Sequence, residues 1–130
     1  MDEISIKLPA KPEYISVARL TTAAIANRLG FSIDDIEDLK VAVSEAGNYL
    51  INQFSDITIL QIHYRIENAS VHVQVIAPNA LAISEQESKE SELSLFIIES
   101  VTDQVEQEMD QGVIRGFSIL KTGGGSLKHE

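Results

Sequence analysis

Between Ile33 and Gln53 apolar residues return at helical intervals, with Ile36, Leu39, Val43, Ala46 and Leu50 on one face. A helix of this length with one apolar stripe must lay that stripe on another layer. What flanks it says which kind of layer. Glu3–Leu8 alternates, with Ile4, Ile6 and Leu8 on one side, so it reads as a strand. Pro9, Lys11 and Pro12 break it. Ile57–Ile66 and Val71–Ile76 read as two strands joined at Asn68-Ala-Ser70, the first burying Leu60, Ile62, Tyr64 and Ile66. Gln104–Met109 and Val113–Lys121 read as a second hairpin around Asp110-Gln-Gly112.

Two more helices are expected. Tyr14–Leu29 carries Ile15, Ala18, Leu20, Ala23, Ile25, Ala26 and Leu29, with Gly30 as its C-cap. Leu93–Val101 is expected to turn Leu93, Phe96, Ile97 and Val101 inward. Ser32-Ile-Asp-Asp35 is a capping-box-like start for the central helix. Pro78–Ser91 is a polar connection, and its acidic run Glu85–Glu92 reads as a solvated loop. The order strand, helix, helix, two strands, helix, two strands implies an α+β two-layer sandwich, with about three helices packed on the β-sheet. One domain is expected over residues 1–122, followed by a flexible tail at 123–130.

Composition narrows the function. A hydrophobic fraction of 44% is that of a globular chain. No apolar run approaches the roughly 18 residues of a membrane span, and the acidic N-terminus lacks the pattern of a signal peptide. With no cysteine there is no disulfide framework or thiolate metal site. A cytoplasmic address without membrane attachment follows as the expectation. Twenty acidic residues against ten basic ones, a net charge of −10, argue against nucleic acid, whose affinity comes from Lys and Arg on phosphates. His63, His72 and His129 show no metal-ligand spacing, so no metal site is expected and the two strand histidines read as structural.

On the central helix Glu45, Asn48, Tyr49 and Asn52 fall at i, i+3, i+4 and i+7. By periodicity alone that stripe is a solvated polar edge. The stretch Ile36–Asn48, however, resembles the N-box helix of the anti-sigma serine-protein kinases of the GHKL, histidine-kinase-like ATPase superfamily. The resemblance covers about residues 3–122 and implies a mixed sheet with helices on one face. It also implies that Glu45 is the base that activates a serine hydroxyl for attack on the γ-phosphate of ATP.

The same resemblance implies a damaged nucleotide site. The family's magnesium-binding Asn corresponds to Tyr49; Asn48 is one residue away, a turn of about 100°. The family's adenine-binding Asp corresponds to Ala77, which has no acceptor, and the following Gly to Asn79. Its glycine-rich phosphate turn corresponds to Ser91-Glu92-Leu93-Ser94. No cofactor is therefore expected. The alternative is an active kinase using ATP and magnesium, with the pocket rebuilt from Asn48, Asn52 and Asn79. A third reading is a decoy that only dimerises with a true kinase paralogue.

Arg19 matches the family's first-helix Arg, which contacts a sigma factor and the antagonist of the anti-sigma factor. Read alone, it is an Arg beside an apolar helix face with its stem packed and its head solvated. The implied partners are the sigma factor and the antagonist, and a homodimer is expected.

Overall fold

The computed structural model describes residues 1–84 and 89–123. The strands are β1 (Asp2–Pro9), β2 (Ile59–Glu67), β3 (Ser70–Ile76), β4 (Gln104–Asp110) and β5 (Val113–Thr122). The helices are α1 (Ile15–Arg28), α2 (Ile33–Gln53) and α3 (Lys89–Val101), with a 3₁₀ turn at Pro12–Tyr14 ahead of α1. The strands form one sheet in the order β1-β2-β3-β5-β4. The two-layer α+β arrangement is the expected one. The sheet, however, is antiparallel at each pairing and not mixed. Its hairpin partners are direct neighbours, and the β3–β5 crossover through α3 also brings the chain back antiparallel.

Alternation sets the buried face of the sheet. Leu60, Ile62 and Tyr64 of β2, Val71, Val73 and Val75 of β3, and Phe117 and Ile119 of β5 are all buried. Register aligns them in rows, Ile62 with Val75 and Val75 with Phe117, then Tyr64 with Val73 and Val73 with Ile119. β1 contributes less than its pattern suggests: only Leu8 is buried and Ile4 stays exposed, because β1 is an edge strand at the border of the helical layer. The turn at Gln111-Gly112 has φ of 54° and 78°, the doubly left-handed geometry of a two-residue hairpin, which is why glycine closes it. On the outer face His63 sits between Glu3, at 2.8 Å, and Ser5, so the histidine holds β1 to β2.

The long helix has the expected bounds, and Ser32 Oγ accepts the Asp35 amide at 3.1 Å as its N-cap. Leu39, Val43, Ala46 and Leu50 are buried as its pattern requires, while Ile36 is half-buried. Gly47 lets α1 approach: a Cβ there would stand 2.8 Å from Ile15 Cδ1. Gly30, at φ 78°, ends α1. Thr22 on α1 shares a 2.7 Å hydrogen bond with the buried Tyr64 hydroxyl. Burial pushes that phenol up to about 12.

α3 departs from expectation. It begins at Lys89, so part of the acidic run is helical. Ser94 and Ile98 are the buried residues, while Leu93 and Phe96 are 56% and 67% exposed. The apolar run Leu93–Ile98 fits more than one helical phase, and the inward one is that which sets Ser94 against α2. The expected tail is outside the described residues from 124 onward.

Candidate nucleotide and partner site

α2 carries a different side chain to each neighbour. Toward α1, Ser44 accepts from Arg19 Nη1 at 3.2 Å and itself donates to the Lys40 carbonyl at 2.7 Å. The Arg19 head, expected in solvent, is thus half-buried and tethered to α2. Toward α3, the half-buried Glu45 accepts from Ser94 Oγ at 2.8 Å. Among the described residues, the hydroxyl at the carboxylate that matches the family's base is that of a buried serine of the chain itself.

One turn further on, Tyr49 corrects the expected polar stripe. It is 7% exposed, with its ring edge-to-face against Phe117 at 5.4 Å between centroids and 87° between planes. Desolvation by burial raises its phenol. The position matched to a magnesium ligand therefore belongs to the apolar core. Of its companions, Asn48 is half-buried and Asn52 exposed.

At the end of β3 Ala77 is buried and Asn79 exposed. The Ala77 amide donates to the Arg115 carbonyl at 3.1 Å. In return Arg115 Nη2 donates to the Ala77 carbonyl, at 3.3 Å, and to that of Ala80. The guanidinium lies 5.2 Å from the centroid of the Phe54 ring. Asp56 takes the amides of Leu81 and Ala82 at 3.0 and 2.9 Å, and those bonds hold its carboxyl below the usual carboxylate range. The segment after β3 is thereby drawn onto the C-terminal end of α2. The Ser84 amide also donates a hydrogen bond to the Gln53 carbonyl at 2.8 Å.

The Ser91–Ser94 element also differs from a phosphate turn. It lies inside α3, not ahead of it. A helix that starts at Lys89 uses the amides of Leu93 and Ser94 for its own hydrogen bonds. Ser91 is half-buried.

The structure thus joins Glu45 to Ser94, and among the described residues Asn48, Asn52 and Asn79 share no common centre of hydrogen bonds. A buried phenol, an alanine and helical amides do not fit magnesium, an adenine amino group and a triphosphate. Among the described residues no group of acidic or histidine side chains is arranged to hold a metal. A groove of about 630 Å³ does exist, between β1 and α1 beside Ile4, Ala24 and Arg28, but none of the residues matched to the nucleotide site lines it.

Sequence reasoning did not single out Phe117, Phe54, Arg115 or Asp56. Phe117 had a signal, since it alternates in phase with Ile119 on a core strand. Arg115 and Asp56 act on backbone groups distant in sequence, and Phe54 meets Arg115 from a remote part of the chain, which no spacing reveals.

Comparison with known proteins agrees with this architecture. The histidine kinase-like ATPase domain matches residues 8–115. The serine-protein kinase RsbW of Oceanobacillus iheyensis is 36% identical over 87% of this chain and 83% of its own length. The RsbW of Listeria monocytogenes is 36% identical over 86% and 83%, and that of Bacillus licheniformis 33% over 86% and 81%. Among solved structures, the RsbU and RsbW domains of a Mycobacterium tuberculosis protein superpose with a TM-score of 0.67 at 16% identity. That alignment covers 94% of this chain and 32% of the solved one, and it speaks for the fold. With the domain matched over residues 8–115 and these relatives aligned over 86–87% of its length, the chain belongs to the histidine kinase-like ATPase domain family, beside the RsbW proteins.

Proposed function

We propose that this protein is an anti-sigma-factor-like regulator in a partner-switching circuit that controls transcription. It works by binding proteins, a sigma factor and the antagonist of the anti-sigma factor, and its ATP site is degenerate. The observation that carries the second half is Tyr49 packed on Phe117 where the family places its magnesium ligand. The relatives named RsbW support the first half. Among the described residues no helix is long and apolar enough to cross a membrane, which agrees with a cytoplasmic address as part of the proposal. A single domain over residues 1–122 acting as a homodimer completes it. An active serine-protein kinase using ATP and magnesium is the competing reading, and the relatives' names do not favour it over the first.

Arg19 is the partner contact in this account. Its planar fork suits carboxylates at an interface, and basic residues are scarce on this chain. Arg19→Ala is expected to weaken binding of both the sigma factor encoded nearest its gene and the antagonist by roughly thirtyfold, about 2 kcal/mol. Stability should change by about 1 kcal/mol or less, because only the single bond to Ser44 is lost and Ser44 keeps its bond to Lys40. Titration of both proteins against wild type and variant checks this. Equal affinities would remove Arg19 from the interface.

A further inference from the structure

α3 turns Ser94 and Ile98 toward the core and leaves Leu93 and Phe96 more than half exposed. At a spacing of i, i+3 these two large apolar side chains are neighbours on the helix surface. Glu92 and Glu99 are exposed at either end of the pair, with Ser100 beside them. Single exposed apolar residues are ordinary, but an adjoining pair rimmed by charge is a surface with a preference.

We propose that the strip Glu92, Leu93, Phe96 and Glu99 is a docking surface for a basic amphipathic helix of a partner protein. Charge selects the occupant. Leu93 and Phe96 offer the apolar anchors that a helix reads at i, i+3 and i+4. The flanking carboxylates favour Lys and Arg at the rim, and the net charge of −10 steers cations toward the chain. A second copy of this chain fits poorly, because two-fold pairing of the strip with itself sets Glu92 and Glu99 against carboxylates. An anionic lipid surface meets the same repulsion.

The strip is also separate from the Arg19 side. α2 presents Ser44 and Gly47 to α1 but Glu45 to α3, so the two helices lie on opposite flanks of α2. The proposal therefore needs neither nucleotide nor Arg19, and it stands or falls apart from the function proposed above.

The test uses the full chain and two synthetic helical peptides with the same leucine face, one with lysines on its polar side and one with glutamates. The Leu/Lys peptide should shift the amide NMR signals of Glu92–Ser100, and Phe96→Ser should weaken it at least about tenfold. Glu99→Lys should weaken it severalfold, and the Leu/Glu peptide should leave the spectrum unchanged. Both substituted side chains are exposed, so both variants should keep the wild-type melting temperature. Equal affinity of wild type and Phe96→Ser would overturn the proposal, as would shifts centred on another surface. Self-association that Phe96→Ser abolishes would assign the strip to a second copy instead.

Discussion

Phe117→Ala is expected to destabilise the protein by about 3–5 kcal/mol, the usual cost of emptying a large buried aromatic site. Phe117 is 1% exposed and lies in the middle row of the sheet, paired with Val75 on β3 and Gln107 on β4. Its ring also supports Tyr49 from the sheet side. Deletion therefore removes its own apolar burial and the edge-to-face contact, worth about 0.5–1.5 kcal/mol beyond area. In a chain of 130 residues the melting temperature should fall by roughly 10–20 °C. Thermal unfolding followed by circular dichroism reads this directly. A fall of only a degree or two would mean that the core at this point is loose and that the ring is not a fixed wall.

Tyr49→Asn puts the family's residue back and is expected to cost about 3 kcal/mol without yielding a magnesium site. The substitution trades a ring packed on Phe117 for a shorter polar amide in the same apolar place. Nothing else in the pocket follows the change: Ala77 still lacks an acceptor, and the amides of Leu93 and Ser94 stay within α3. The variant should melt at a lower temperature than wild type, and millimolar magnesium with ATP should not raise it again. Recovery of stability by ligand, as mass action requires when the folded state binds, would show that one side chain alone closes the site.

How far the sequence discloses this arrangement depends on where the information resides. α2 is legible from Ile33 to Gln53 because its N-cap and apolar stripe are local. The two hairpins are legible because their turn residues and alternation are local too. The strand order is not, since β5 lies between β3 and β4 only after the chain passes through α3. Tyr49 sits at the edge of the apolar stripe, where helical phase leaves either face open, and only Phe117 from β5 decides that it turns inward. The phase of α3 is likewise set by long-range contacts, since Ile98 packs into the core and Ser94 meets Glu45, which leaves Leu93 and Phe96 outside. Glu45 itself was singled out through a resemblance of neighbouring residues, and its hydrogen-bond partner came only with the structure. Arg115 shows the limit most plainly, because it acts on the carbonyls of Ala77 and Ala80, and a carbonyl carries no sequence signature.

The proposed function requires that the protein's own side chains close the nucleotide site, so the most direct measurement is calorimetric titration of the wild-type protein with magnesium-ATP. The expected result is no binding tighter than about 1 mM, roughly 4 kcal/mol. A micromolar dissociation constant would contradict it, because Tyr49 and the segment held by Arg115 would then have to move aside for the ligand, and the protein would have to be read as a working serine-protein kinase.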